Sequence, residues 1–147
     1  MLDVEATVRH EVYAVALARG APPTIAHLSA ALATAAPVVR SALQRLADAR
    51  VLVLQPESGE ILMVPPFSAV PTPFLVGTSR HSSYANCAWD ALGVPVMLRQ
   101  QATVVTACAC CGEAITLDVS LDRLPEATAV IHFAVPAARW WHDIVFT

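Results

Sequence analysis

Lysine is absent from this chain. All nine positive charges are arginines, scattered along 147 residues, and the formal net charge is −3. A nucleic-acid-binding protein usually presents a basic face, so this balance argues against one. No acidic run offers a tail for basic partners either. Glycine is scarce, with five in all, and none belongs to a phosphate-binding loop. A serine-nucleophile elbow and an HExxH zinc motif are missing too. No apolar run reaches the roughly 18 residues of a membrane span, because Pro, Arg and Asp interrupt each candidate. The opening MLDVEATVRH is acidic early and lacks the apolar core of a signal peptide. A cytoplasmic, reducing location with no membrane contact is the expectation.

What the chain does have is apolar mass. It is 56% hydrophobic and 14% charged, with a mean hydropathy of +0.55. Such a composition buries readily and is not that of a disordered segment. The length allows one compact domain or two small units sharing a core.

Periodicity divides the chain. Val4, Val8, Val12 and Val15 recur at helical spacing, with Leu17 alongside, and Gly20 followed by Pro22 and Pro23 ends that helix. Thr24 is a cap for a second helix, IAHLSAALA. Pro37 stands near the start of a third, VVRSALQRLADAR, whose Val39, Leu43 and Leu46 share a face. VLVL (51–54), a PESG turn and ILMV (61–64) read as a β-hairpin. Three helices and a hairpin are the order of a winged helix-turn-helix, over residues 1–64. The segment 65–73, PPFSAVPTP, is a proline-rich extended connector. Residues 74–147 read as a small mixed domain. In it, SYANCAWDAL predicts a helix capped by Ser82 or Ser83 and ended by Gly93-Val94-Pro95. Strands are predicted over 101–108, 114–120 and 127–135, with a CCGE turn between the first two and a helical turn after Pro136. The fold class is α+β.

All four cysteines, Cys87, Cys108, Cys110 and Cys111, lie in the second half. In a reducing compartment such clustering points to metal or thiol chemistry before a disulfide framework. Cys87 precedes Asp90 by three residues, which on a helix places thiol and carboxyl on one face. A carboxyl so placed can exchange a proton with the thiol or with its ligand; the plainer alternative is a buried cysteine packing as a small hydrophobe. The turn CACCG offers three thiols to a soft ion. Zinc there would need ligands from elsewhere, and the outside candidates are Cys87, His81, His132 and His142. His132 follows strand alternation and reads as an inward core residue. Trp140 and Trp141 read as packing residues that could also dry a site.

Three stretches, YANCAWDALGVPVML, ATVVTACACCGEAITLDVS and VIHFAVPAARWWHDIVFT, together resemble the alkylmercury lyase (organomercurial lyase) family. The likeness spans roughly residues 75–147, and the C-A-x-D element is its specific motif; the winged-helix-like beginning agrees in architecture. The resemblance implies protonolysis of a carbon–mercury bond, with Cys87 as the thiolate that captures mercury and Asp90 as the acid that protonates carbon. It implies no cofactor, Hg(II) as product, small thiols as carriers and a structural role for Cys108. The family's second catalytic cysteine is expected directly after an ending like WWHDIVFT. The sequence runs to Thr147, so within it Cys110 or Cys111 would have to supply the second thiol.

Three other readings stand beside this one. The first is a thiol module that binds mercury or another soft metal without turnover. The second is a family member recruited to protonation or lyase chemistry on another small organic substrate. The third is a metal-responsive regulator using Arg40, Arg45 and Arg50 on DNA, against which the acidic net charge counts. Against the regulator, the helical segment is a packing or dimerisation platform, which leaves a homodimer open.

Overall fold

The computed structural model describes residues 3–123 and 130–145. Helix α1 (Val4–Arg19) begins where the Asp3 carboxylate accepts the Glu5 N–H and ends at Gly20, at φ 76°. That glycine is required twice. Its left-handed backbone disfavours a side chain, and an added Cβ would sit 2.5 Å from His81 Nδ1, 2.6 Å from Ser83 Oγ and 2.8 Å from the Ser82 carbonyl oxygen. Thr24 caps α2 (Ile25–Ala31) by accepting the His27 N–H. The Glu60 carboxylate accepts the Ile25 N–H at 2.8 Å, tying this helix to the hairpin that follows. Pro37 stands in the first turn of α3 (Ala36–Asp48), where its missing N–H costs nothing.

Strands β1 (Val53–Leu54) and β2 (Ile61–Val64) form the expected hairpin, shorter on its first side than 51–54. β3 (Phe67–Ser68) comes from the proline-rich segment. β4 (Leu75–Thr78), β5 (Ser82–Ala85), α4 (Ala88–Leu98), β6 (Ala102–Ala107) and β7 (Ala114–Val119) follow. The strands make one seven-stranded sheet in the order β1-β2-β3-β5-β4-β6-β7, antiparallel at every pairing. The class is α+β, with three helices and a hairpin leading into the sheet.

Two apolar clusters fill the molecule. One joins Val8, Val12, Leu28, Val39, Leu43, Leu46, Leu52, Ile61 and Val64. The other joins Ala16, Phe67, Val76, Ala85, Ala91, Val94, Val104 and Val119. Helix α1 serves both, because Val8 and Val12 face the first and Ala16, one turn on, faces the second. Each fully buried Val, Leu or Phe contributes on the order of 1.5–3 kcal/mol.

Four expectations are corrected. Ser82 and Ser83 cap no helix; they lie in β5, paired to β4 through Val76↔Ser83 and Gly77↔Ser82. With β3 on the other side of β5, its backbone groups find partners on both flanks, and ladder pairing wins over local helix propensity. Helix α4 does not stop at Gly93-Val94-Pro95 but runs through Pro95 to Leu98. Val94 and Pro95 are buried there, and that packing offsets the hydrogen bond a proline removes. The predicted strand over 127–135 is not found across 130–135, and 127–129 lie outside the described residues. His132 is exposed rather than inward. After Pro136 the chain makes a 3-10 turn, Ala137–His142.

Candidate active site

Cys87 is the residue at which strand gives way to helix. Its backbone is extended (φ −150°, ψ −179°) and it stands at the N-cap of α4, with its carbonyl accepting the Ala91 N–H at 2.9 Å. Asp90 lies in the first turn of the same helix. Both side chains are half-buried. The helical arrangement expected of the pair is thus present, but the helix starts after Cys87 instead of around it.

The electrostatics couple the two groups. Burial pushes the Cys87 thiol up; the Asp90 N–H pulls it down, the Asp90 carboxylate pushes it up again, and the Trp89 N–H pulls it down. A proton on Asp90 removes the carboxylate's repulsion and so favours the Cys87 thiolate. Burial also raises the Asp90 carboxyl, opposed by the Asn86 side chain, whose Nδ2 donates to Asp90 Oδ2 at 2.9 Å. The other amide atom, Asn86 Oδ1, is buried with no hydrogen-bond partner. Such an acceptor has capacity for a donor that the described residues do not supply.

Asn86 escaped the sequence reading. Its signal is the i, i+4 spacing to Asp90, a recognised polar pair on helices, and it is weak because Asn86 precedes the helix. Tyr13 escaped as well. Burial raises its hydroxyl, the Arg9 guanidinium lowers it, and the Asp90 charge raises it, so α1 brings a phenol into the field of the carboxyl. No local pattern could report that influence. Trp89, beside the pair, is 65% exposed, and Val96 and Met97 on the same helix are exposed too.

The three other thiols lie together at the β6–β7 hairpin tip. The Cys108 N–H donates to the Glu113 carbonyl at 2.8 Å and the Gly112 N–H to the Cys108 carbonyl at 2.8 Å. Cys108 is half-buried, and Cys110 and Cys111 are exposed. The Cys111 N–H, the Cys110 N–H and the Cys111 thiol all favour the Cys108 thiolate and lower its pKa, against burial and the Glu113 charge. Register relates this tip to Cys87. Leu75 of β4 pairs with Tyr84 of β5 on one side and with Val105 of β6 on the other. Both flanking strands run antiparallel to β4, so both leave the sheet at the same end, three residues later, at Cys87 and Cys108.

Among the described residues, no three or more His, Cys, Asp or Glu side chains are grouped to hold a metal ion. The expected zinc at the CACC turn therefore finds no ligands beyond the turn, and His81 is engaged elsewhere, its Nε2 3.1 Å from the Leu17 carbonyl oxygen. Trp140 and Trp141 make their described contacts elsewhere. Trp140 stacks on Phe133, with centroids 4.9 Å apart, and its Nε1–H donates to the Val135 carbonyl. Trp141 lies 5.7 Å from the Arg50 guanidinium carbon and lines a cavity of about 390 Å³ with Leu52, Gln55 and Ile144. A second hollow, about 720 Å³, is lined by Gly77, Gln101, Asp118 and Arg123. Cys87 and Asp90 line neither.

No curated protein matches the sequence. A solved structure does: the "Crystal structure of the mercury-bound form of MerB2" is similar with a TM-score of 0.60 at 20% identity, over 78% of this chain and 55% of that one. The likeness is one of fold, and this chain spans about half the length of that protein. The sequence signature of alkylmercury lyase matches residues 67–147, just over half of the chain, and takes in Cys87, Asp90 and the hairpin tip alike. This chain therefore belongs to the alkylmercury lyase family.

Proposed function

We propose that this protein cleaves carbon–mercury bonds by protonolysis, with Cys87 capturing the mercury and Asp90 carrying the proton. One observation supports the reading most. A half-buried carboxyl with a raised pKa stands one helical turn from a half-buried thiol, and the charge of the carboxylate raises the pKa of the thiol.

The steps follow from that coupling. Mercury in an organomercurial is soft and prefers thiolate. The Cys87 thiol passes its proton to the Asp90 carboxylate as sulfur bonds to mercury and displaces the carrier thiolate. Donation from sulfur weakens the carbon–mercury bond. The proton on Asp90 then goes to carbon, the bonding electron pair stays with carbon, and hydrocarbon leaves. Asp90 returns to carboxylate, and Hg(II) remains on the Cys87 sulfur until two small thiolates bind it and displace that sulfur as thiolate. Burial assists because an acid with a raised pKa keeps its proton nearer neutral pH, where it is needed.

Single-turnover protonolysis of a simple organomercurial in excess small thiol, followed by hydrocarbon release, tests this. Release that disappears in both Cys87→Ser and Asp90→Ala is the expected result. Mercury uptake without hydrocarbon would replace the lyase with a non-catalytic soft-metal module.

A further inference from the structure

We propose that the β6–β7 hairpin tip is a two-thiolate chelating site, formed by Cys108 and Cys111, for a thiophilic ion such as Hg(II). The tip is built as a knuckle, Cys108-Ala109-Cys110-Cys111-Gly112. Gly112, at φ 76°, turns the chain where another residue would be strained. Its N–H closes the turn onto the Cys108 carbonyl at 2.8 Å, and Glu113 returns the chain to the strand through the Cys108 N–H. The N–H groups of Cys110 and Cys111 and the Cys111 thiol all favour the Cys108 thiolate. The turn thus holds both thiols within the stretch from Cys108 to Gly112 that its backbone hydrogen bonds close.

Coordination number selects the ion. Tetrahedral zinc in structural sites takes four ligands, and among the described residues no third or fourth donor is grouped with the pair. A closed-shell ion content with two thiolates needs none, and soft ions favour sulfur over competing donors. Access is open, because Cys111 is exposed and a Cβ added to Gly112 would meet nothing within 4 Å. Cys110 contributes its N–H to the turn, while its own sulfur has no assigned part.

Loading is an exchange of ligands. Hg(II) arrives on two small thiolates; two sulfur–mercury bonds form to Cys108 and Cys111 and two break. The two protein thiol protons pass to the departing thiolates, and nothing is oxidised or reduced. The tip leaves the sheet at the same end as Cys87, across the two strand spacings that separate β5 from β6, roughly 10 Å. Its use as the receiver of mercury released at Cys87 rests on the proposed lyase reaction; the binding itself does not.

The test uses the full chain carrying Cys87→Ser, reduced and metal-free. Hg(II) is supplied in excess small monothiol and retained mercury is measured by equilibrium dialysis. One equivalent held per chain is the expected result. Adding Cys111→Ser should weaken retention by at least about tenfold, since a tethered second thiol acts at a high effective concentration, whereas adding Cys110→Ser should change it by less than about twofold. No retention in Cys87→Ser, or equal losses from Cys110→Ser and Cys111→Ser, would overturn the assignment. Cys110 and Cys111 are exposed turn residues, so a folding defect does not imitate the difference. Hydrocarbon release is read separately, which keeps failure of this site distinct from failure of the lyase.

Discussion

The side-chain amide of Asn86 donates to the Asp90 carboxylate at 2.9 Å, bridging the residues on either side of the strand-to-helix junction at Cys87. This bond opposes burial and lowers the pKa that burial raises. Removing it in Asn86→Ala should raise the Asp90 pKa further, read by carbon NMR of the carboxyl. Stability should fall by about 1 kcal/mol, the usual worth of one hydrogen bond. An unchanged or lowered Asp90 pKa would remove Asn86 from the site.

The sign of the Asp90 shift makes a second prediction. A carboxyl whose folded pKa exceeds its unfolded value binds its proton more tightly in the native state. That contribution to stability is full below the unfolded pKa and is lost as pH rises through the folded pKa. At neutral pH the charged carboxylate is therefore a burden on the fold. Asp90→Asn should raise the urea midpoint at pH 7, and the gain should shrink as pH falls through the raised folded pKa and be gone below about 4, the ordinary range of an unfolded aspartate. The same variant should lose protonolysis. A midpoint gain independent of pH would mean that desolvation of Asp90 is not its source.

Gly20 and Gly112 share φ 76° but differ in surroundings. Gly20→Ala meets both backbone strain and the crowd at His81, Ser82 and Ser83. Gly112→Ala meets strain alone. Chemical denaturation should show a cost of about 1–2 kcal/mol for Gly112→Ala, the left-handed penalty, and distinctly more, about 3 kcal/mol or above, for Gly20→Ala. Equal costs would show that the packing of α1 against β5 yields readily.

Much of this molecule was legible locally. Helix α1 was readable because a valine stripe, a terminal glycine and the prolines after it all agree. The β1–β2 hairpin was readable because two β-branched runs flank a turn. The Cys87–Asp90 spacing was visible as a helical pair, and the family likeness gave the pair a chemistry that spacing alone could not. Ser82–Ala85 and Pro95 were misread for one reason. Their local preferences are weak or contrary, and partners distant in sequence, β3 and β4 for the strand and the second apolar cluster for the helix, decided them.

The sequence by itself determined the three N-terminal helices, the first hairpin, the supply of thiols and the spacing from thiol to acid. Hydrophobic periodicity and capping chemistry are short-range, and they act before the chain closes on itself. Only tertiary structure decided how hard the acid holds its proton, because desolvation comes from what covers Asp90. The field of that carboxyl at Tyr13 on α1 likewise exists only once the helices are brought together. Sheet order also decided that Cys87 and the Cys108–Cys111 tip emerge at one end. Strands β5 and β6 flank β4 and run the same way, a relation carried by long-range hydrogen bonds between backbones and by no residue pattern.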